Sequence, residues 1–143
     1  MSDFTPNDFN QGVIDEFRAN AGVVGGYFEG RNMVLVHNTG AKSGTGYVTP
    51  LVYQPLDCGD MAIFASYGGA PKDPAWFGNV VANPELIVEV GTETFGVTAR
   101  VAEGDERNRI WEQQKVDVPG FAEYEGKAAP RQIPVVVLER GAA

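Results

Sequence analysis

The spacing of the apolar positions in this chain changes at Met33. Before it, Phe9, Val13 and Phe17 recur four residues apart, which predicts a helix over residues 6–20 with one buried face. After it, glycine, proline and aspartate separate short segments rich in Val, Ile, Tyr and Phe, a pattern typical of β-strands. Six strands are predicted: Met33–Thr39, Tyr47–Gln54, Met61–Tyr67, Leu86–Gly91, Thr94–Val101 and Ile133–Glu139.

Three further helices interrupt the predicted strands. They are expected over residues 73–83, from Asp105 to about Val116, and over Pro119–Gly126. The connections at 57–60 and 91–93 are too short for parallel crossovers, so neighbouring strands are antiparallel. We therefore predict one mainly β domain over residues 1–143, in which six antiparallel strands form a small barrel with helices at its periphery.

The charge balance excludes several classes of partner. The 143 residues carry 11 basic and 19 acidic side chains, a net charge of −8, which argues against general binding to nucleic acid or to an anionic membrane. One cysteine and one histidine argue against a disulfide framework and a histidine-rich metal site. The longest apolar runs, Met33–Val36 and Val135–Leu138, are too short for a membrane span, and residues 1–6 do not resemble a signal peptide. We expect a cytoplasmic protein.

Residues 39–46 concentrate glycine around a lysine and a serine. The nucleotide-binding P-loop does not fit, because Lys42 and Ser43 precede Gly44 and a strand follows where a helix is needed. The dinucleotide fingerprint fails too, since Thr49 stands where it requires a small residue at a helix start. The amides of such a loop can bind an anion beside Lys42, although an ordinary hairpin loop is the alternative.

Residues 65–77 bring a serine, two glycines and a helix start together. Ser66 ends a strand, and the helix N-terminus after Asp73 favours negative charge. Trp76 offers an aromatic face to a flat ring, although core packing explains it equally well. Pro50 marks its own strand as an edge or a bulge that can face a ligand. Together the two glycine-containing segments predict a cleft for a planar, anionic cofactor.

No catalytic set of side chains is visible in the sequence. His37 lies in an apolar strand and is expected to be structural, and Cys58 lies in a turn with no histidine near it. The acidic residues are scattered, so no pair stands out as acid and base. We therefore expect a bound cofactor, and not a side chain, to carry the chemistry.

The same segments resemble the deazaflavin-dependent nitroreductase family. The resemblance is carried by residues 39–44, 48–51, 65–79, 83–84, 119–124 and 131–136, which follow in the right order between about Met33 and Glu139. It implies a split β-barrel like that of the FMN-binding proteins, with coenzyme F420 as cofactor. Reduced deazaflavin would transfer a hydride to electron-poor conjugated small molecules: quinones, coumarin-like lactones or nitro compounds.

The resemblance also implies which positions form the site. Contacts to the cofactor are expected from Ala41, Lys42, Ser43, Tyr47, Val48, Thr49, Pro50, Leu51, Ala65, Ser66, Tyr67, Ala75, Trp76, Phe77 and Asn79. Lys72 is added to them as a second cation for the anionic part. The substrate pocket is expected to be walled by Trp76, Phe121 and Tyr124.

This chain lacks some of the cations that the family often carries. Arginine is frequent at the positions of Ala41 and Tyr47, and lysine at that of Tyr67, so weak dependence on the cofactor's anionic tail is predicted. Two alternatives stay open: FMN in the same barrel, whose single phosphate needs less positive charge, and a non-enzymatic carrier of a flavin or an apolar ligand. A homodimer is compatible with this barrel.

Overall fold

The computed structural model describes residues 6–25, 30–56, 59–66 and 73–140, with side chains from residue 11 onward. Cys58 and two of the predicted site residues, Tyr67 and Lys72, lie outside the described residues. The four predicted helices are present within a few residues of their expected bounds. They are α1 Pro6–Ala19, α2 Ala75–Ala82, α3 Gly104–Asp117 and α4 Gly120–Ala128.

Seven strands form one antiparallel sheet. They are β1 Met33–Thr39, β2 Gly46–Val52, β3 Gln54–Pro55, β4 Met61–Phe64, β5 Glu85–Val90, β6 Glu93–Val101 and β7 Val135–Arg140. Their order is β2-β1-β5-β6-β7-β4-β3.

The prediction of six strands is wrong because the segment Tyr47–Gln54 is divided at Tyr53. β2 pairs with β1, whereas β3 pairs with β4 at the other end of the strand order. At the division the N–H of Tyr53 donates to the carbonyl oxygen of Asn32 at 2.9 Å. The chain thus passes between the two ends of the order within a few residues.

The two uninterrupted apolar runs of the sequence are strands buried on both faces. In β1, Val34 and Val36 belong to the cluster inside the curled sheet, while Met33 and Leu35 pack on the other face with Phe17 of α1. Residues of a strand alternate between faces, so a strand covered on both sides needs apolar residues at successive positions. β7 repeats this arrangement, with alternate residues in the interior and against α3 and α4.

The sheet curls over its interior. β2 comes into contact with β4, although four strands lie between them in the order of the sheet. Trp76 and Val80 of α2 fill the space inside together with the interior side chains of the strands. β2 is an edge strand, a position that suits Pro50 because proline has no N–H to give to a ladder. Among the described residues, no helix has the length and apolar character that crossing a membrane requires.

Candidate functional site

A cleft of about 1140 Å³ lies along the edge strand β2. Its walls come from the loop between β1 and β2, the start of α2, α4, and α1. The predicted site residues that line it are Ala41, Lys42, Ser43, Tyr47, Val48, Thr49, Pro50, Leu51, Ser66, Ala75, Trp76, Asn79, Phe121 and Tyr124. The two sequence segments singled out for their glycines therefore meet at one cleft.

Two of the predicted residues do not line the cleft. Ala65 is completely buried inside the curled sheet. Phe77 packs against Trp76 with the ring centroids 6.3 Å apart and the planes nearly perpendicular. Trp76 itself both lines the cleft and belongs to the core. The two interpretations of this residue from the sequence, contact to a flat ring and core packing, are therefore compatible.

Several lining residues carry no signal in the sequence. Gln11, Ile14, Arg31 and Asn38 line the cleft, yet they lie in α1, in the segment before β1 and in β1 itself. None belongs to a glycine-containing motif. The packing of α1 beside β2 brings Gln11 and Ile14 to the site, and Arg31 reaches it from the segment that leads into β1, so a local pattern in the sequence does not reveal them.

The loop between β1 and β2 is a tight turn closed by its own backbone hydrogen bonds. The N–H of Gly40 donates to the carbonyl oxygen of Thr45 at 2.8 Å, and the N–H of Gly44 donates back to Gly40 at 3.0 Å. Gly44 has a φ of +72°, a conformation that favours glycine. Among the described residues, no acceptor bonds the amides of Lys42 and Ser43. The segment is thus a hairpin loop, and these amides together with the Lys42 ammonium are left available to an anion.

Asn79 of α2 holds this loop in place. Its side-chain oxygen accepts a hydrogen bond from the N–H of Ala41 at 3.0 Å, and its side-chain nitrogen donates to the Asn38 Oδ1 at 2.9 Å. Asn38 is 2% exposed and donates in turn to the Thr49 Oγ1 at 3.0 Å. Both ends of the Asn79 amide are therefore occupied by the protein, which makes Asn79 a residue that positions the loop.

Arg131 ties the end of β4 to the start of α2. Its guanidinium donates to the carbonyl oxygens of Ala65 and Ser66 at 3.1 and 3.0 Å, and to the Asp73 carboxylate at 2.7 Å. Because the Arg131 side chain is only 14% exposed, the ion pair is partly shielded from water. Asp73, predicted to cap α2, instead pairs with Arg131, and Pro74 is the N-cap residue. These bonds fix the place of Ser66 at the cleft.

Aromatic side chains form the wall of the cleft beneath α4. The Phe64 and Phe121 rings have centroids 5.5 Å apart, and those of Phe121 and Tyr124 lie 5.3 Å apart, both in tilted or edge-on arrangements. Trp111 of α3 packs behind them, 5.9 Å from Phe64 and from Phe121. Such pairs stabilise one another beyond simple burial, so this wall is a rigid surface for a flat, apolar molecule.

A polar anchor on the far side holds α4 to α3. The Trp111 Nε1 donates to the Glu125 Oε2 at 2.7 Å, and the Lys115 Nζ lies 3.1 Å from the Glu125 Oε1. Burial opposes ionisation of Glu125, but the hydrogen bonds from Lys115 and Trp111 outweigh it and hold the pKa of its carboxyl below the ordinary value. The ionised Glu125 thus fixes the orientation in which α4 presents Phe121 and Tyr124 to the cleft.

The cleft contrasts with the rest of the chain in charge. Its described lining includes Lys42 and Arg31 but no aspartate or glutamate, in a chain whose net charge is −8. His37 does not line it: its Nε2 lies 2.7 Å from the Glu89 Oε2, which also pairs with Arg18 of α1. Within the described residues no cluster of histidine, cysteine and carboxylate side chains is suited to a metal ion. The cleft can therefore hold an anionic ligand with an apolar, flat part.

Comparisons with known proteins identify relatives that use an anionic deazaflavin cofactor, F420. The family model of the F420H(2)-dependent quinone reductases matches residues 11–140. The F420H(2)-dependent quinone reductase Rv1261c of Mycobacterium tuberculosis is 36% identical over 110 residues, which cover 75% of this chain and 72% of that protein. A solved F420-H2 dependent reductase, FDR-A, is 40% identical with a TM-score of 0.68, over 80% of this chain and 100% of that one. Another structure, described as a domain-swapped dimer, is 36% identical with a TM-score of 0.70, over 94% and 100% of the two chains.

Proposed function

We propose that this chain, which belongs to the F420H(2)-dependent quinone reductase family and has coenzyme F420 as its cofactor, transfers a hydride from the reduced cofactor to a quinone in the cleft along β2. The observation that carries the proposal is the make-up of that cleft. It combines a rigid aromatic wall with a lysine-bearing loop in which the Lys42 and Ser43 amides have no acceptor among the described residues, and its described lining has no carboxylate.

The residues present fit F420, a flat deazaflavin ring joined to a phosphate and an anionic tail. The loop amides of Lys42 and Ser43 and the Lys42 ammonium are donors suited to phosphate oxygens. Phe64 and Trp76 supply apolar surface for the ring, and Phe121 is left to the quinone. Because Lys42 is the only cation of the loop from Gly40 to Gly46, we keep the prediction that binding depends weakly on tail length.

The side chains of this protein act by binding and orienting. Bound F420 supplies the hydride, and the aromatic wall excludes water from one side of the reacting rings. Asn79 holds the loop at Lys42 and Arg131 holds the backbone at Ser66, so that these parts of the cleft are in position before the ligand arrives. No aspartate, glutamate or histidine is among the described lining residues, so the proton that a reduced quinone takes up comes from water or from a lining hydroxyl such as that of Tyr124.

Which acceptors besides quinones the enzyme reduces is a further part of the proposal. The matching family is named for quinones, so the nitroreductase wording of the sequence resemblance is not confirmed, and reduction of nitro compounds and coumarin-like lactones stays a prediction. The FMN alternative gives way to F420 because the family is F420H(2)-dependent. The carrier alternative gives way to an oxidoreductase for the same reason. The split-barrel class and a cytoplasmic location remain our proposals.

We also propose that the chain forms a homodimer. A structure 36% identical to it, which aligns over 94% of its length, is described as a domain-swapped dimer. Sedimentation equilibrium of the purified protein at micromolar concentrations tests this directly. A mass near twice 15.4 kDa is expected, and a single species of monomer mass would contradict it.

The test of the function is a binding and turnover experiment on one preparation. Oxidised F420 is titrated into the protein while the intrinsic fluorescence of the protein is followed, and FMN is titrated in parallel. Reduced F420 is then mixed with protein and a naphthoquinone, and the return of the oxidised absorbance is recorded. We expect F420 to bind at micromolar concentration, more tightly than FMN, and its oxidation to require both protein and quinone. Tight FMN binding without F420 binding would overturn the cofactor. F420 binding without turnover of any acceptor would favour the alternative hypothesis that the protein is a non-enzymatic carrier.

A further inference from the structure

The cleft along β2 has a cationic group at each end. The β1–β2 ladder pairs Thr39 with Gly46 at the end that carries Lys42, and Met33 with Val52 at the end that Arg31 precedes by two residues. Six residues of extended strand separate these two pairs, and at about 3.4 Å per residue this is roughly 20 Å. Lys42 and Arg31 therefore serve different parts of a ligand, or two ligands.

The end at Arg31 is built by α1. Ile14 is 4% exposed and packs with the cluster that joins α1 to β1, and Gln11, one turn before it, also lines the cleft. The helix is held to the sheet by Arg18, which donates to both carboxylate oxygens of Glu89 at 3.1 and 2.7 Å. Arg31 thus stands beside a fixed surface that is partly apolar and partly polar.

Arg31 differs from other arginines of the chain in its surroundings. Among the described residues, Arg18, Arg100, Arg131 and Arg140 form ion pairs with carboxylates, whereas Arg31, Arg107 and Arg109 do not, and of these three only Arg31 lines the cleft. Over residues 6–25, 30–56, 59–66 and 73–140, no carboxylate pairs with Arg31, and no carboxylate lines the cleft that it faces. In a chain of net charge −8, an exposed arginine that has no carboxylate partner within those residues and lines a ligand cleft is suited to an anion on the ligand.

We infer that Arg31 forms the anion-recognising end of the acceptor site, and that the enzyme prefers quinones that carry a carboxylate on a side chain over neutral quinones. This inference rests on the proposed function. The loop at Lys42 takes the anionic part of the cofactor, which leaves the α1 end of the cleft to the second reactant. A side chain that leads from the quinone ring along β2 would bring its carboxylate to the Arg31 guanidinium, a geometry in which arginine binds both oxygens.

The experiment compares one pair of acceptors. A 1,4-naphthoquinone with a carboxyalkyl side chain and its methyl ester have the same ring, and they differ at one remote charge. Wild type, Arg31→Gln, Arg31→Lys and the control Arg109→Gln are assayed, since Arg109 is an exposed arginine of α3 outside the cleft. Wild type is expected to show a roughly ten- to hundredfold higher kcat/KM for the acid than for the ester, as one charge-assisted contact allows, mainly through KM.

The variants separate the possible roles of Arg31. Arg31→Gln should lower kcat/KM for the acid to about that for the ester without a change in F420 affinity. Arg31→Lys should keep part of the preference, and Arg109→Gln should behave as wild type. An unchanged acid-to-ester ratio in Arg31→Gln overturns the inference. A loss of F420 affinity that grows with tail length in that variant also overturns it, because Arg31 would then hold the cofactor.

A binding measurement keeps this test independent of turnover. Calorimetric titration of the two quinones into the protein, without reduced cofactor, should show tighter binding of the acid in wild type and equal binding in Arg31→Gln. Equal binding of acid and ester to wild type contradicts the inference whether or not turnover is seen. Absence of F420 binding and of all turnover contradicts the proposed function instead, and the calorimetry then still decides for or against an anion site at Arg31.

Discussion

Replacement of Asn79 by alanine tests whether the loop at Lys42 is held in position by the protein. The change removes the hydrogen bond from the Ala41 N–H at 3.0 Å and the bond to the Asn38 Oδ1 at 2.9 Å. Asn38 is 2% exposed, so its oxygen would be left in a place that water does not readily reach. Its bond to Thr49 remains, and for that reason the sheet itself should keep its structure.

The expected magnitude follows from these contacts. Two hydrogen bonds of neutral groups contribute about 0.5–1.5 kcal/mol each, and a buried polar atom left unpaired costs about 1 kcal/mol or more. We therefore expect Asn79→Ala to lower the free energy of unfolding by about 2–3 kcal/mol. We expect it also to weaken F420 binding by roughly tenfold, because the loop must then be ordered at the expense of binding energy.

Urea denaturation and F420 titration of the same samples measure the two effects. Asn83→Ala is the matched control, since Asn83 ends the same helix and donates to the Thr39 carbonyl at 3.4 Å, a long and exposed contact. It should change stability by less than about 0.5 kcal/mol. A variant at Asn79 that loses stability but binds F420 like wild type would show that the loop is not positioned through Asn79. Unchanged stability would refute the argument about the buried amide network.

The other predictions concern the cation, the aromatic wall and the anchor of α1. Lys42→Ala should weaken F420 binding by tenfold or more, while the free energy of unfolding changes by no more than about 0.5 kcal/mol. The control Lys127→Ala, on the outer part of α4, should change neither quantity, and equal F420 affinity in the two variants would show that Lys42 is not part of the site. Phe121→Leu should lower kcat/KM for the quinone more than it lowers F420 affinity. The lost aromatic contacts should reduce the free energy of unfolding by about 1–2 kcal/mol. An equal effect on F420 binding and on quinone turnover would contradict the place of Phe121 at the substrate. The hydrogen bond from Arg18 holds the pKa of Glu89 below its ordinary 4.5, so the stability that Glu89→Gln removes should be present at pH 7 and should vanish as the pH falls below about 4.5; a difference independent of pH would show that the ion pair is not its source.

The elements of the fold were predictable because each depends on neighbours in the chain. The apolar run Met33–Val36 reads as a strand covered on both faces, and the run Val135–Leu138 reads in the same way. The end of α2 at Asn83 follows from Pro84, because the residue before a proline is disfavoured in a helix. The number of strands was predicted wrongly because the segment Tyr47–Gln54 is divided at Tyr53 into β2 and β3. This division depends on the strands with which the two parts pair, β1 and β4, and these lie far from the segment's local pattern.

From residue patterns alone, the candidate site was predictable in its two glycine-containing segments and the strand with Pro50, whereas Phe121 and Tyr124 came from the family resemblance. Loop residues such as Ser43 are recognised from composition, because a tight turn after a strand restricts which residue types fit there. The contribution of Arg31 and Gln11 is invisible in that pattern. Likewise the sequence resemblance gives Asn79 as a contact to the cofactor, whereas in the fold both ends of its amide bond to the protein.

The sequence by itself determined the helices, most of the strands, the charge contrast with nucleic-acid binders, and the local chemistry of the loop at Lys42. Only the tertiary structure decided that β2 is the edge strand along which the cleft lies, that α1 closes one end of it, and that Arg131 joins β4 to α2. The physical reason is the range of the forces involved. Helix and turn preferences act over a few residues, whereas the curl of a sheet is set by the burial of apolar side chains that are far apart in the chain.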